Sequence, residues 1–294
     1  MNILISVNES YLDKAEIMLL SVRKNTREKL DIYLLNHSLD EHHISRFCKF
    51  LARHNMSLHI VNVSNTNFDG MTLGNAHFSI EMYYRILAQY LLPKDLDRIL
   101  WLDADIVALK DIKHFYNQSF DEKAMVVCPD SKYNSKLIVD IKNNLGLPKE
   151  YIYFNSGVLL LNLTYLRKNI SLENIISLSK EIENKLIYPD QDILNYIYHN
   201  KIKYAEWQKY NFQLVEIGKV DKVVLDEVVI MHYSGPYKPW NYAHINSFSK
   251  YYWRVAVSRG RICSCVFAYT MSLIFKVILF TKKSVRLVWK RVNL

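Results

Sequence analysis

The sequence predicts an α/β fold with a mostly parallel central sheet flanked by helices, followed by a basic helical tail. Strand and helix patterns alternate through residues 3–63, which is typical of a parallel sheet covered on both faces. An apolar run from Arg98 to Val107 is interrupted by Asp103 and Asp105, which predicts a buried strand that surfaces at its carboxyl end. Residues 228–294, which include this tail, contain eleven Lys or Arg and no acidic residue.

Composition and charge exclude several classes of protein. Half of the 294 residues are apolar, with only 7 Gly and 6 Pro, so the chain can bury one large core. Residues 1–227 have 27 basic and 29 acidic residues, a formal charge of −2. The overall charge of +9 therefore belongs to the tail, and we expect no nucleic-acid partner.

The cysteines and the first residues indicate a reducing compartment. Cys48, Cys128, Cys263 and Cys265 have neither the spacing of a disulfide framework nor that of a zinc site. The start of the chain has no basic n-region and no small-residue cleavage site. We therefore expect a cytoplasmic protein that is not exported.

The first part of the chain predicts a β-α-β-α-β unit. Ligands bind such a sheet at the carboxyl ends of its strands, and the polar loop Ser6–Ser10 follows the first strand. This loop lacks the G-x-G-x-x-G pattern, so a dinucleotide site of the usual kind is not expected. The predicted elements are strands at 3–7, 30–35 and 58–63, a helix that carries Ala15, Met18, Leu19 and Val22, and a helix at about 40–53.

Asp103 and Asp105 are candidate metal ligands. In an extended chain, residues two apart point to the same side, so both carboxylates can bind one hard divalent cation. Such a cation could bridge the two phosphates of a nucleotide. The alternative is a turn in which one Asp only caps the backbone.

Two polar stretches follow, each next to a predicted buried element. Asn155-Ser156-Gly157 predicts a polar corner directly before a strand, where glycine allows close approach of a ligand or simply forms a tight turn. Pro189 and the acids Asp190 and Asp192 predict the start of a helix. Helix capping accounts for the acids but does not account for Gln191 between them.

A third candidate ligand lies near the end of the strand predicted at 228–231. His232 follows this strand, and a Gly-containing loop then leads to Lys238. An imidazole can bind a transition metal and a flexible ammonium can bind a diphosphate. The alternative is that His232 has only a structural role, as is common for a lone His at a strand end. Arg85, on a predicted helix, also has two alternatives: it faces a phosphate, or it lies on the solvated surface.

Together these motifs resemble bacterial glycosyltransferase family 8, whose members are retaining transferases that use a UDP-hexose and Mn²⁺ on a GT-A fold. The family is best known from lipopolysaccharide and lipooligosaccharide galactosyl- and glucosyltransferases. The resemblance covers residues 1 to about 250, which implies a catalytic domain over 1–250 and a membrane-associating tail over 251–294. The motifs that carry it are Asp103-x-Asp105, Phe154-Asn155-Ser156-Gly157-Val158, Asp190-Gln191-Asp192-Ile193-Leu194 and His232-Tyr233-Ser234-Gly235 through Lys238-Pro239-Trp240.

The resemblance implies a role for each matched position. Asp103, Asp105 and His232 would bind Mn²⁺, or Mg²⁺ in its place. The chain has Asn8 where the family commonly has Asp at the uracil edge, which weakens the uridine part of the likeness. The other implied positions are Ser6, Asn8 and Tyr11 for the uridine, Ala104 for the donor, Gly235 and Lys238 for its phosphates, Arg85, Asn155, Asp190 and Gln191 for the donor sugar, and Asp130 for the acceptor.

The implied chemistry suits these residue types. Cleavage of the anomeric bond places negative charge on the leaving UDP, which a divalent cation and Lys238 would stabilise. A retaining glycosidase uses a carboxylate nucleophile, whereas the matching position here holds Gln191. We therefore favour front-face displacement, in which the departing phosphate helps to deprotonate the acceptor, with Asp190 and Gln191 beside the cationic sugar ring.

Two other functions fit parts of the sequence. A sugar nucleotidyltransferase would also use an acidic pair and a divalent metal, but it usually has a Gly-rich basic loop after its first strand, and Ser6–Ser10 has neither Gly nor Lys. A membrane scaffold would explain the tail but not the candidate metal ligands. The donor, glucose or galactose, and the acceptor, a saccharide or glycolipid, are not distinguished by the sequence.

The tail predicts a helix that lies on an anionic membrane surface. Lys276, Lys283 and Lys290 recur every seven residues on one face, opposite an apolar stripe. The apolar segment 262–280 is near the lower length limit for a transmembrane helix and contains Lys276. We expect a peripheral association with the inner face of the cytoplasmic membrane, and the alternative is a helix packed on the catalytic domain.

Overall fold

The computed structural model describes residues 1–64, 80–214 and 222–292, with side chains for all of these except residues 80, 222–224 and 281–292. The chain forms two compact units: Met1–Gln213 with Ile217–His232, and Leu214–Glu216 with Tyr233–Leu294. The domain boundary predicted at residue 250 stays a prediction. The sequence also predicts a loop rich in Asn and Gly at 64–75, and almost all of it lies outside the described residues.

The first unit is built on a seven-stranded sheet. Its strands are β1 (Asn2–Ile5), β2 (Leu30–Asn36), β3 (Met56–Asn62), β4 (Arg98–Leu102), β6 (Met125–Pro129), β7 (Phe154–Asn162) and β8 (Ile202–Tyr204). The order is β3-β2-β1-β4-β7-β6-β8, and β7 runs antiparallel to both of its neighbours while the other pairs are parallel. The predicted α/β class with a mostly parallel sheet is confirmed.

A second sheet of three strands lies in the same unit. It consists of β5 (Ile106–Ala108), β9 (Phe212–Gln213) and β10 (Ile230–His232), in the order β5-β10-β9. β10 pairs antiparallel with β5 and parallel with β9. This sheet brings the residues after β4 next to the end of β10, although they are more than 120 positions apart in the sequence.

Helices cover the main sheet and begin with the signals that the sequence shows. Asp40 accepts a hydrogen bond from His43 N at 2.8 Å at the start of the second helix, and Pro189 occupies the first turn of the eighth. The helices are α1 (Glu9–Asn25), α2 (Glu41–Arg53), α3 (Ala88–Leu91), α4 (Lys113–Tyr116), α5 (Lys136–Leu145), α6 (Leu163–Asn169), α7 (Leu172–Glu181), α8 (Pro189–Tyr198), α9 (Trp207–Tyr210), α10 (Lys222–Glu227), α11 (Ser249–Ser258) and α12 (Ile262–Val292), with 3₁₀ helices at Ile80–Leu87, Glu183–Lys185 and Tyr242–His244.

Two local predictions differ from the structure. The first strand ends at Ile5 and not at Val7. Asn155-Ser156-Gly157 is not a corner before a strand but lies inside β7, where the register with β6 passes from Val127–Leu159 to Cys128–Asn155. The backbone stays extended there because the polar side chains have buried partners, and the extra residues form a bulge.

The second unit contains α11 and α12. Tyr233 Oη donates to Phe248 O at 2.8 Å, and Trp253 Nε1 donates to Pro239 O at 2.9 Å, so the start of α11 fastens the loop after β10. Ala268 and Ser272 are buried and form one stripe along α12. Most of its other described side chains are exposed, and many of these are apolar, including Val266, Phe267, Leu273, Val277 and Phe280.

The predicted helical tail is thus confirmed, with a difference in its surface. The segment Ile262–Phe280 is long and apolar enough to cross a membrane by length and composition. Its exposed apolar side chains cover more than the single stripe that was predicted, while Lys276 Nζ donates to Ile245 O at 3.3 Å. The side chains of Lys283 and Lys290 lie outside the described residues.

Candidate active site

Asp103, Asp105 and His232 form a cluster suited to a metal ion. One ligand atom from each side chain lies within 4.8 Å of the other two. His232 Nε2 is 3.2 Å from Asp105 Oδ1. His232 is buried, and the side chains of Asp105 and Asp103 are 12% and 26% exposed.

The two sheets create this cluster. Asp103 follows β4, and its backbone N–H donates to Gly157 O at 3.0 Å, so the pairing with β7 extends one residue beyond β4. Asp105 directly precedes β5, where Ile106 is paired with His232 of β10. The pairing of β5 with β10 therefore places the imidazole beside the Asp-x-Asp turn.

Asp103 is held by two side chains on the same carboxylate oxygen. Trp101 Nε1 donates to Asp103 Oδ1 at 2.8 Å, and Arg85 Nη2 lies 3.0 Å from the same atom. The arrangement leaves Oδ2 as the oxygen on the side of Gly157.

Gly157 leaves the space that the cluster occupies. A Cβ atom at this position would lie 2.4 Å from His232 Cε1 and 2.9 Å from Asp103 Oδ2. Real Cβ atoms do not approach other atoms so closely, and neither contact is with the end of a long flexible side chain. The glycine of the predicted corner is therefore needed for close packing at this point of β7.

Arg85 joins the metal cluster to the start of α8. Its guanidinium is almost fully buried, packs 4.4 Å from the centroid of the Trp101 ring, and donates from Nη1 to Ser156 O at 2.6 Å. Arg85 Nε lies 3.3 Å from Asp190 Oδ2. Of the two alternatives open from the sequence, the surface position is thus wrong for Arg85.

Asp190 is a buried carboxylate under two opposing influences. Burial raises the pKa of Asp190, while the Arg85 guanidinium acts in the opposite direction. Ser156 Oγ also donates to Asp190 Oδ2 at 3.0 Å. The carboxylate is therefore fixed in place by a cation and a hydroxyl.

Gln191 contacts β7 through its carbonyl oxygen. Gln191 Oε1 accepts from Asn155 Nδ2 at 3.1 Å and from Ser156 N at 3.0 Å. Its Nε2 lies 3.5 Å from Asp130 Oδ2. The structure thus brings together Asn155, Asp190, Gln191 and Asp130, which the sequence separates by up to 61 positions.

Asp192 and Asn195 position α8, although the sequence pattern indicates no role for Asn195 and only the start of a helix for Asp192. Asp192 Oδ2 accepts from Ile187 N and Tyr188 N at 2.7 and 2.8 Å, and Tyr153 Oη donates to its other oxygen. Burial raises the pKa of Asp192 to about 6. Asn195 pairs with both backbone polar groups of Phe154. Their signal in the sequence was only a polar residue on the buried face of a helix.

The residues predicted to bind the nucleotide occupy the loop after β1. Ser6 Oγ donates to Leu35 O at 3.0 Å, and Asn8 Oδ1 accepts from Ser10 Oγ at 2.7 Å. Tyr11 is exposed in the first turn of α1. Because β1 and β4 are parallel neighbours, this loop and the Asp103 turn lie at the same edge of the sheet.

The remaining predicted positions are described separately. Ala104 is buried between the two aspartates. Gly235, with φ of +70°, and Lys238 lie in the second unit, where Lys238 Nζ donates to Tyr233 O at 2.8 Å.

The donor set fits a divalent cation. Two carboxylates supply hard oxygen ligands, and His232 Nδ1 is already hydrogen bonded to Asn211 Oδ1 at 2.8 Å, so Nε2 is the ring nitrogen that faces the carboxylates. A bound cation would neutralise the negative charge of a diphosphate. The adjoining residues Arg85, Asn155, Asp190 and Gln191 present donors and acceptors suited to the hydroxyl groups of a sugar.

Comparison with known proteins identifies relatives and solved structures of similar fold. Among solved structures, the chain is similar to the galactosyltransferase LgtC in complex with donor and acceptor sugar analogues, with a TM-score of 0.76 and 22% identity over 88% of this chain and 96% of that one. It is 28% identical to lipopolysaccharide 1,2-glucosyltransferase of Escherichia coli over 85% of this chain and 77% of the relative. It is 32% identical to lipopolysaccharide 1,3-galactosyltransferase of Salmonella typhimurium over 54% of this chain and 49% of the relative.

The profile of the family described as Glycosyl transferase family 8 matches residues 2–244. The match extends from β1 past β10 and includes the Asp103, Asp105 and His232 cluster. The chain therefore belongs to glycosyl transferase family 8 and is a glycosyltransferase with a GT-A-like fold.

Proposed function

We propose that this glycosyltransferase moves glucose or galactose from a UDP-sugar to a lipopolysaccharide or lipooligosaccharide acceptor, with retention of the anomeric configuration and dependence on Mn²⁺ or Mg²⁺. The observation that carries the proposal is the Asp103, Asp105 and His232 cluster in a family 8 fold. The names of the relatives, a glucosyl- and a galactosyltransferase of lipopolysaccharide, support the substrate class.

The metal cluster would stabilise the leaving group. Asp103, Asp105 and His232 would hold the cation, whose charge offsets the charge that develops on the departing diphosphate. Arg85 and Trp101 fix the orientation of Asp103, so this ligand is preorganised. Gly235 and Lys238 stay predictions as phosphate-binding residues.

The residues around Gln191 would bind the donor sugar. Gln191 Oε1 already accepts from Asn155 and from a backbone N–H, and Asp190 is engaged by Arg85 and Ser156. An engaged amide is a poor nucleophile, which supports front-face displacement over a covalent intermediate. The acceptor hydroxyl would approach from the side of Asp130, and Ser6, Asn8, Tyr11 and Ala104 would contact the nucleotide.

The tail would bring the enzyme to a lipid-linked acceptor. Leu273 and Phe280 are 66% and 72% exposed on α12, and residues 228–294 contain no acidic residue. Apolar side chains can enter the acyl boundary while Lys and Arg meet anionic headgroups. We place this association at the inner face of the cytoplasmic membrane.

The test is a donor and metal screen with the full-length protein. UDP-glucose and UDP-galactose are incubated with lipopolysaccharide that lacks its outer hexoses, with Mn²⁺, Mg²⁺ or EDTA, and the linkage of the product is read by NMR. We expect transfer from one of the two donors, an α-linkage, and no transfer in EDTA. Asp103→Asn and Asp105→Asn should abolish transfer while the melting temperature shows a folded protein.

Other results would contradict the proposal. An inverted linkage would exclude retention, and full activity in EDTA would exclude the metal. Release of pyrophosphate from UTP and a sugar phosphate would favour the nucleotidyltransferase instead.

A further inference from the structure

A buried amide, Asn211, connects the metal cluster with the predicted sugar pocket. Its side chain is fully buried between α9 and β9. Asn211 Oδ1 is 2.8 Å from His232 Nδ1, and Asn211 Nδ2 donates to Asn155 Oδ1 at 3.0 Å. One side chain thus contacts a candidate metal ligand and a neighbour of Gln191.

A backbone amide fixes the direction of these hydrogen bonds. Gly157 N donates to Asn155 Oδ1 at 3.0 Å, and because a backbone N–H only donates, the Asn155 atom there must be its oxygen. The Asn211 atom that meets this oxygen must be the NH₂ group. Asn211 therefore turns its carbonyl oxygen to His232, and since a carbonyl only accepts, His232 Nδ1 carries a proton.

This direction determines which ring nitrogen can bind a cation. His232 Nε2 faces Asp105 Oδ1 at 3.2 Å. With a proton kept on Nδ1, the lone pair of Nε2 is available beside the two carboxylates. We propose that Asn211 is a positioning residue that fixes the tautomer and ring orientation of His232, so that Nε2 serves as a metal ligand; this rests on the proposed function for the metal.

The same donor-to-acceptor direction of the hydrogen bonds continues to Gln191. Asn155 donates from Nδ2 to Gln191 Oε1 at 3.1 Å, and Ser156 N donates to the same oxygen at 3.0 Å. Two successive backbone amides, of Ser156 and Gly157, thus orient the row His232, Asn211, Asn155 and Gln191. Asn211 also holds Asn155 in the orientation that donates to Gln191, so its second role is to position the residues of the proposed sugar pocket.

Two substitutions in the full-length protein separate the two tasks. Asn211→Leu keeps the approximate shape and removes both hydrogen bonds. Asn211→Asp still accepts from His232 Nδ1 but cannot donate to Asn155 Oδ1. By electron paramagnetic resonance, we expect the Kd for Mn²⁺ to rise about 10- to 100-fold in Asn211→Leu and to stay within about threefold of wild type in Asn211→Asp. Turnover should fall in both variants.

A second readout requires no metal. In protein labelled with ¹⁵N-histidine, the His232 resonances are assigned by their loss in His232→Gln. We expect a protonated Nδ1 in wild type and in Asn211→Asp. In Asn211→Leu, the proton should move to Nε2, which faces Asp105.

Asn36→Leu is the matched control. Asn36 is also buried and hydrogen bonds through Oδ1 and Nδ2 to the backbone of Leu39, at the end of β2. It should lower stability without changing Mn²⁺ affinity.

Specific outcomes overturn the proposal. Unprotonated Nδ1 in wild type, or an unchanged His232 spectrum and Mn²⁺ affinity in Asn211→Leu, would do so. A wild-type protein that shows the expected tautomer but binds no Mn²⁺ would support the positioning of His232 and contradict the proposed function instead.

Discussion

Arg85 Nη2 lies 3.0 Å from Asp103 Oδ1, so a buried guanidinium balances one carboxylate of the candidate metal cluster. The same guanidinium lies 3.3 Å from Asp190 through Nε. Because Asp103 continues from β4 and Asp190 lies in the first turn of α8, one side chain connects the candidate metal cluster with the start of α8.

Arg85→Met should therefore lower the stability of the fold as well as the activity. The substitution keeps an apolar stem but leaves Asp190 buried without its cation, and breaking a buried pair costs about 3–5 kcal/mol. Urea unfolding followed by circular dichroism measures the loss. Arg98→Met is the control, because Arg98 packs over Phe120 and donates to backbone carbonyls, and its loss should be smaller. Equal losses would contradict this role for Arg85.

Gly157→Ala should remove the metal site without unfolding the protein. The new Cβ would lie 2.4 Å from His232 Cε1 and 2.9 Å from Asp103 Oδ2, so one ligand or both must move. We expect the affinity for Mn²⁺, measured by calorimetry, to fall by at least about tenfold.

Gly146→Ala is the paired control for this substitution. Gly146 ends α5 with φ of +72° and has open space around its Cβ position. It should lose about 1 kcal/mol of stability through backbone strain and keep its Mn²⁺ affinity. Normal Mn²⁺ affinity in Gly157→Ala would show that the cluster does not need the ring of His232 where it now lies.

The sequence contained the local part of this site and not its long-range part. Asp103 and Asp105 follow a buried apolar strand, and their spacing alone indicated two carboxylates on one side of the chain. The pairing of β5 with β10, which places His232 beside them, depends on a contact between distant segments and has no periodic signal. Asn155-Ser156-Gly157 predicts a corner because polar residues in a strand interior resemble a turn until their buried partners are known.

The missed residues share a physical cause. Asn211, Trp101 and Asn195 act through hydrogen bonds to groups that the sequence does not place near them. A Trp in an apolar strand or an Asn beside a short helix fits many structures. Only the fold shows that each contacts a residue of the site, whereas the parallel β-α-β unit followed directly from alternating patterns.

Asp192 predicts a pH dependence of stability with a definite sign. Burial raises its pKa to about 6 from the ordinary 3.8, so between these values the folded state binds more protons than the unfolded state. Stability from this group is full below about pH 4 and is lost as the pH rises through about 6. The free energy of unfolding of wild type relative to Asp192→Asn should therefore decrease from pH 4 to pH 6.

Asp121 predicts a pH dependence of stability of the opposite sign, which Asp121→Asn tests. Hydrogen bonding to Lys203 lowers the pKa of this exposed carboxylate, so its contribution is lost as the pH falls below about 4. Unfolding midpoints measured over pH 3–7 distinguish the two cases. A wild-type curve parallel to that of Asp192→Asn would show that Asp192 titrates alike in both states.

Gln191→Ala should lower kcat while the affinity for UDP stays nearly unchanged. Gln191 contacts Asn155 and Ser156 and points its Nε2 toward Asp130, so its loss should affect the sugar and acceptor side and not the nucleotide. We expect at least about a tenfold decrease in turnover. Steady-state kinetics and UDP titration measure the two quantities. A covalent glycosyl adduct trapped on Gln191 or Asp190 of the wild type would replace front-face displacement with double displacement.

The exposed face of α12 predicts reversible binding to anionic membranes. Ala268 and Ser272 bury the stripe by which the helix packs in its unit, so substitutions on the opposite surface should leave the fold intact. A variant with Phe267, Leu273 and Phe280 changed to Ser removes three side chains that are 65%, 66% and 72% exposed. It should lose vesicle binding while it retains UDP-sugar hydrolysis.

The manner of release from the membrane decides between the two ways in which α12 could associate. Each basic side chain near an anionic surface contributes on the order of 1 kcal/mol, so an interfacial helix should pellet with phosphatidylglycerol vesicles and come off in high salt or alkaline carbonate. The segment Ile262–Phe280 also has the length and composition of a span, and a spanning helix would resist both treatments. We expect release, because the segment contains Lys276 and more basic residues follow it. Full-length protein that does not bind anionic vesicles would contradict membrane association and indicate another partner for the exposed apolar face.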